Sequence, residues 1–293
     1  MKIATWNVNS IRVRLPHVKD FLSTRKPDVM LLQELKAQDN DIPASDLEDL
    51  GYNVIFKGQK AYNGVAILSK HPISDIITNL YSDENARYIE CWIDAKNSGF
   101  RVASIYLPNG NPINTEKFSY KIEWMSELSN HVKKLLDNEE KIILGGDFNV
   151  CPEDRDASNP EMMKNDALFQ PESRAKFREI LNLGYYDAWR SIYPNKTNWS
   201  YWDYGRAFEQ NKGLRIDHFL LSPSAIDKLE AIEISVFPPT TVCEYDVPPA
   251  VIVTTSVTAT APPKVILITL SVVWVIVEVN ATPGTFAVIS IEP

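Results

Sequence analysis

Residues 141–150 read Lys-Ile-Ile-Leu-Gly-Gly-Asp-Phe-Asn-Val. The apolar run predicts a buried strand over Lys141–Leu144, which passes through two glycines and ends on Asp147 and Asn149. Residues i and i+2 of an extended segment face the same way, so these two polar side chains are expected side by side. Three other places repeat the pattern. Asn7 and Asn9 follow a strand over Met1–Trp6, Glu34 follows a strand over Val29–Leu32, and Asp217 sits inside Arg-Ile-Asp-His-Phe-Leu-Leu at 215–221. Taken singly, an acid or amide after a strand also serves as a turn or helix cap. The paired glycines equally suit close backbone packing. Apolar strands that each end in an oxygen-bearing side chain are also what a hard divalent cation needs, because Mg²⁺ takes one or two carboxylates and keeps several waters.

Working outward, helical periodicity predicts helices over Leu15–Arg25, Thr115–Asp137 and Glu172–Leu183. In the second of these, Phe118, Ile122, Met125, Leu128, Val132 and Leu135 recur every three or four residues and mark the expected buried face. Further strands are expected at Tyr52–Phe56, Gly64–Ser69, Arg87–Asp94, Arg101–Leu107 and Ile216–Leu221, with an irregular polar stretch from Pro152 to Pro171. Many short strands with few helices between them predict an α/β (α+β) chain of two packed sheets flanked by helices, rather than a doubly wound parallel sheet.

The composition narrows the class. Hydrophobic residues make up 44% and charged residues 23% of the 293, which excludes global disorder. The three cysteines are dispersed and no C-x-x-C or H-E-x-x-H occurs, so a disulfide scaffold and the common zinc sites are excluded. A formal charge of −8 argues against a sequence-independent DNA coat, though not against an enzyme with a local basic face. No apolar leader is visible at the start, and a cytoplasmic protein is expected. Only five charged side chains fall in the last 59 residues, a segment rich in Val, Ile, Thr and Pro. Its uncharged run Val265–Val277 is shorter than the roughly 18–20 residues that span a bilayer, so it is expected to be a strand, buried or at an edge, and no membrane partner is expected.

Five segments carry a resemblance. Ile3–Ser10 (IATWNVNS), Leu31–Glu34 (LLQE), Ile105–Gly110 (IYLPNG), Gly145–Val150 (GGDFNV) and Leu214–Phe219 (LRIDHF) resemble, in order, the motifs of the exonuclease III family of DNA-repair nucleases, within the endonuclease/exonuclease/phosphatase superfamily. The resemblance implies a four-layer αββα sandwich of the DNase I-like type. It implies cleavage 5′ to abasic sites, removal of 3′-blocking groups and 3′-to-5′ degradation of duplex DNA, with Mg²⁺ or Mn²⁺. The partner would be double-stranded DNA with abasic or 3′-blocked sites, met by a monomer. By the same resemblance Glu34 is the principal metal ligand beside Asn7, in a set that also takes in Asp147, Asn149 and Asp246. Tyr106 contacts the scissile phosphate, Asp147 is the general acid or positions the nucleophile, Asn149 holds the transition state, and Asp217 orients a histidine near the C-terminus. Asn109, Tyr201, Trp202 and Leu214 fall where the family lines its pocket for the extruded abasic sugar.

One motif breaks. The family closes on Ser-Asp-His-Ala-Pro-Val and a short apolar strand. Counting from Ile234 without gaps sets Asp246 and Pro249 in register, with Val251–Val253 as the strand, and puts Val247 where the histidine belongs. Valine neither moves a proton nor binds phosphate. His218 is no substitute, because neighbours on a strand point to opposite faces. The sequence thus predicts a nuclease domain over 1–253, divergent from 235, followed by a hydrophobic β-rich extension over 254–293. It predicts an enzyme weakened at Val247; the alternative is a catalytically inactive abasic-DNA-binding protein on the same fold. A superfamily phosphodiesterase acting on inositol phosphates or lipids is a further rival, which the Asn109–Pro112 and Trp202–Tyr204 contexts disfavour.

Overall fold

Val29–Gln33 is buried along its whole length, apolar on both faces, and a strand of that kind is stable only between two other layers. The computed structural model, which describes residues 1–95, 99–138, 140–203, 207–237 and 272–278, places it so. The chain begins with β1 (Lys2–Asn7), α1 (Ile11–Arg25), β2 (Val29–Gln33), α2 (Ala44–Glu48), β3 (Asn53–Lys57), β4 (Val65–Ser69) and β5 (Ile73–Ile77). It continues through β6 (Tyr88–Ile93), β7 (Phe100–Tyr106), α3 (Glu116–Leu136), β8 (Ile142–Asp147), α4 (Pro171–Asn182), β9 (Tyr186–Asp187) and α5 (Ala188–Ile192). The last elements are β10 (Tyr201–Trp202), β11 (Gly213–Leu214), β12 (Asp217–Leu221), α6 (Pro223–Ile226), β13 (Ile232–Phe237) and β14 (Val272–Glu278).

Two six-stranded sheets form, in the orders β13-β14-β1-β2-β4-β3 and β5-β6-β7-β8-β12-β9. They pack face to face, and one apolar core joins Ile3, Leu31 and Ile67 of the first to Cys91, Val102 and Phe219 of the second. Val18, Phe21 and Leu22 bring α1 onto the outside of the first sheet. Trp124, Leu128, Phe177 and Ile180 bring α3 and α4 onto the outside of the second. The result is the four-layer αββα arrangement.

Two differences from the sequence reading, and one alternative that it left open, have physical causes. The buried face of α3 is Lys121, Trp124, Met125, Leu128, Val132 and Leu135, whereas Phe118 and Ile122 are only half-buried, so the stripe is rotated from the one periodicity marked. The paired glycines of β8 do serve close packing: a Cβ on Gly146, at φ +149°, would lie 2.0 Å from the Ile105 carbonyl oxygen, and one on Gly145 would strike Phe219 and Leu31. Finally, β14 lies within the segment read as an extension, yet its backbone pairs antiparallel with both β1 and β13, in the interior of the first sheet. Val251–Val253, expected as the closing strand, lies outside the described residues. Among those residues no helix is long and apolar enough to cross a membrane.

Candidate active site

The ends of β1, β2, β7 and β8 and the start of β12 meet at one end of the two sheets. Register does the placing. Tyr106, Asp147 and Asp217 are direct neighbours across β7, β8 and β12, while Asn7 pairs with Gln33 so that Glu34 leaves β2 beside it.

The Asn7 amide joins the two sheets. Its Nδ2 donates to Glu34 Oε1 at 2.7 Å and to Asp147 Oδ2 at 3.0 Å, so the two carboxylates lie well within reach of a single cation. Glu34 has a left-handed backbone, φ +55°, which turns its side chain out of the β2 core; its Oε2 takes the Lys36 ammonium at 2.7 Å. Asp147 Oδ1 accepts the Asn149 backbone N–H at 2.9 Å. Burial, with the Glu34 charge adding, pushes the Asp147 carboxyl up to about 7, against the pull of its hydrogen bonds. The Tyr106 phenol is driven well above its ordinary range by burial and then by Glu34 and Asp147, and the Arg87 guanidinium lies 4.8 Å over its ring.

Asn149 reaches the site by a different route from the one expected. The strand stops at Asp147 and Asn149 turns left-handed at φ +47°, so strand alternation does not align the pair. The hydrogen bond from the Asn149 N–H to Asp147 aligns them instead, while buried Phe148 anchors the turn. The Asn149 side chain donates to the Leu107 carbonyl and accepts from Asn109 at 3.2 Å.

Asp217 is buried beside Asp147. Burial and that neighbouring charge hold its carboxyl well above the usual range, with a hydrogen bond from Ser200 pulling the other way. Ser200 Oγ also accepts the backbone N–H groups of Ile216 and Asp217 at 3.0 Å each. Among the described residues Asp217 has no ion-pair partner. Asp246 and Val247 lie outside them.

His218 points away from the site, as strand alternation requires. Its Nε2 bonds the Val150 carbonyl at 2.9 Å, its Nδ1 faces Arg215 at 3.0 Å, and its ring packs on Phe148 and Phe177. Arg215 in turn holds Asp156 at 2.7 Å and Asp187 at 2.9 Å, a buried rack that ties the segment after β8 to β12. Burial, with Arg215, holds the imidazole down to about 4. The unfolded histidine titrates near 6.5, so below that pH the unfolded chain takes a proton that the folded chain refuses. This group's stability is therefore full above about pH 6.5 and is lost as pH falls towards 4. From pH 7 to pH 5 the loss is about 2 kcal/mol. Denaturant titrations at both pH values are expected to show a shallower pH dependence for His218→Gln than for the parent; identical dependences would contradict the assignment.

A cleft of about 540 Å³ opens over these groups. Asn7, Glu34, Tyr106, Asn109, Asp147, Asn149, Tyr201, Leu214 and Asp217 all line it. Trp202 does not. Neighbouring residues of the short β10 face opposite ways, so Tyr201 meets the cleft and Trp202 stacks edge-on to Phe208 at 5.1 Å on the other side. The lining also includes Lys36, Asn111, Ser158, Met162, Met163 and Lys212, which the sequence reading did not single out. Most come from irregular segments, where no periodicity points to a shared surface.

The donor set fits a hard divalent cation. Glu34 and Asp147 offer carboxylate oxygens at the cleft floor, and the Lys36 ammonium shows that positive charge is accommodated on Glu34, while the Asn7 amide turns its NH₂ to both carboxylates and its oxygen accepts the Asn9 N–H at 3.1 Å. Among the described residues no group of three or more His, Cys, Asp or Glu side chains is placed to hold a metal ion, so a cation here would rest on these two carboxylates and water. Asn149 is a poorer ligand than the sequence suggested, because its side-chain oxygen is engaged by Asn109.

Comparison with known proteins agrees with this geometry. Residues 4–235 match the Endonuclease/Exonuclease/phosphatase family. Exodeoxyribonuclease III of Haemophilus influenzae is 31% identical over 240 residues, covering 78% of this chain and 90% of that protein. A 3′ phosphatase from Neisseria, solved bound to a product DNA hairpin, superposes with a TM-score of 0.81 at 32% identity, over 96% of this chain and 99% of that one. An AP endonuclease from Archaeoglobus fulgidus gives a TM-score of 0.76 at 35% identity, over 80% of this chain and 91% of that one.

Proposed function

This chain belongs to the endonuclease/exonuclease/phosphatase family, in its exonuclease III branch of DNA-repair hydrolases, and on that premise we propose that it is a divalent-metal-dependent phosphodiesterase that cuts duplex DNA 5′ to abasic sites and cleans or degrades 3′ ends, as a cytoplasmic monomer. The observation that carries the proposal is the single amide of Asn7 holding Glu34 and Asp147 together at the floor of a cleft wide enough for a sugar–phosphate unit.

Glu34 and Asp147, oriented by the Asn7 Nδ2 hydrogen bonds, would hold Mg²⁺ or Mn²⁺, which would supply positive charge for the phosphate oxygens. The protein's own groups do the rest. Tyr106 and Asn149 line the cleft, where the phenol and the Asn149 N–H not taken by the Leu107 carbonyl would donate to a non-bridging oxygen as charge grows in the transition state. Asp147 orients the attacking water or moves a proton at the leaving oxygen. Tyr201 and Leu214 wall the space for an extruded sugar, which leaves the duplex cheaply because it has no base to unstack.

A second reading rests on Asp217, which faces the cleft with no cationic partner among the described residues, while Val247 occupies the histidine position of the motif. It is a protein that binds abasic DNA without cutting it. A duplex carrying one tetrahydrofuran site distinguishes the two. Nicking in Mg²⁺ or Mn²⁺ that stops with EDTA is the expected result, and a 3′-phosphate substrate checks the end-cleaning activity. Tight binding with no product even at high Mn²⁺ would overturn the enzyme reading in favour of the binding protein.

A further inference from the structure

Lys121 lies on the buried face of α3 with no exposed surface at all. A charged ammonium in such a place is costly unless every N–H is bonded. Here each one is. Lys121 Nζ donates to the carbonyl oxygens of Pro108 at 3.2 Å, Asn109 at 3.1 Å and Asn149 at 2.6 Å. The first two carbonyls belong to the segment leaving β7 just past Tyr106, and the third to the segment leaving β8 just past Asp147. The same two segments are joined on the cleft side by the Asn109–Asn149 side-chain bond. The Asn149 amide also donates to the Leu107 carbonyl, and Gly110 and Asn149 both take left-handed backbones, so Lys121 joins the two turns at their carbonyls from the side away from the cleft. The space is fitted to the lysine: a Cβ added at Gly110 would come within 2.6 Å of Lys121 Cδ.

We propose that Lys121 is a positioning residue for phosphodiester cleavage. Its ammonium clamps the Asn109 and Asn149 loops together from behind, fixing the Asn149 amide, and with it the Asn149 N–H that orients Asp147, at the phosphate. This inference rests on the proposed nuclease reading. It assigns a role to a residue outside the cleft wall and outside every motif by which the family resemblance was drawn.

The expected signature is a loss of turnover without loss of binding, since a misplaced donor weakens the transition state more than the ground state. Small misplacements in a reacting site cost about 100-fold. Lys121→Ala is expected to lower kcat on the abasic duplex by roughly that factor, with KM changed by less than about threefold. Propylammonium ion added to Lys121→Ala is expected to restore turnover saturably, whereas 1-propanol, which fills the same cavity without three N–H donors, is not. Lys121→Met keeps the volume and is the variant to use if the alanine protein does not fold. In Lys121→Met the side-chain amide resonances of Asn109 and Asn149 are expected to collapse from dispersed to averaged positions, a readout that needs no cleavage. If the parent fails to nick, the nuclease reading fails while the resonances still test the clamp. The clamp itself is overturned by unchanged kcat in both variants, by rescue with propanol as complete as with propylammonium, by unchanged amide resonances, or by loss of the folded state in both variants.

Discussion

Asp147→Asn is expected to slow nicking of an abasic duplex by about 10²- to 10⁴-fold, the range for losing a group that moves or directs a proton, while affinity for the duplex stays within a few-fold. The substitution preserves size, so the effect comes from chemistry and from hydrogen-bond direction. In the parent both carboxylate oxygens accept, one from Asn7 Nδ2 and the other from the Asn149 N–H. An amide at 147 accepts at only one of these. Whichever way it is turned, an NH₂ then faces another N–H donor, and either the Asn7 bridge to Glu34 or the Asn149 turn loses its anchor. Charge at the cleft floor falls as well, so less of the site remains to hold a divalent cation. Single-turnover nicking measures the rate, and fluorescence anisotropy in Ca²⁺ measures binding separately. A decrease of less than about tenfold would place Asp147 outside the chemistry. A parallel collapse of binding would mean that it shapes the cleft rather than acts in it.

What could be read from the chain beforehand follows a physical division. Glu34, Asp147, Asn7 and Asp217 were legible because each ends or opens an apolar strand, and a short apolar run that halts on one acid is a local signal. The two-sheet architecture was legible for the same reason. The resemblance places a dipeptide at the pocket, and the alternation of β10 turns its two members opposite ways, Tyr201 to the cleft and Trp202 onto Phe208, which no motif reveals. Lys121 was invisible, since a lysine inside an apolar stripe reads as a break in the stripe, and its three carbonyl partners are fixed only by tertiary structure. The rack of Arg215, Asp156 and Asp187 was hidden likewise, its members being far apart in sequence and individually ordinary. The part of the run 265–277 that is described, from Val272 on, was legible as strand-forming, but its place beside β1 was not. Strand pairing is a non-local choice, and β14 pairs with the first strand of the chain.

Val247→His is the variant expected to gain activity. The retained Asp246 and Pro249 set the register in which position 247 falls on the motif histidine, and the family resemblance implies Asp217 as the side chain that such an imidazole would pair with. As things stand, burial and the Asp147 charge hold the Asp217 carboxyl well above its usual range. An imidazole beside it would be oriented by it, and the ion pair would favour the ionised carboxylate. Gaining a positioned acid–base group is worth about 10²- to 10⁴-fold in rate, and that is the increase expected on the abasic duplex in Mg²⁺. Coupling separates a restored partnership from a merely tolerated substitution. Asp217→Asn should cost more in the Val247→His protein than in the parent, because only there does Asp217 have a histidine to orient. Equal, full-speed cutting by the parent and by Val247→His would show that this chain manages without the histidine, and the prediction of a weakened enzyme would fall.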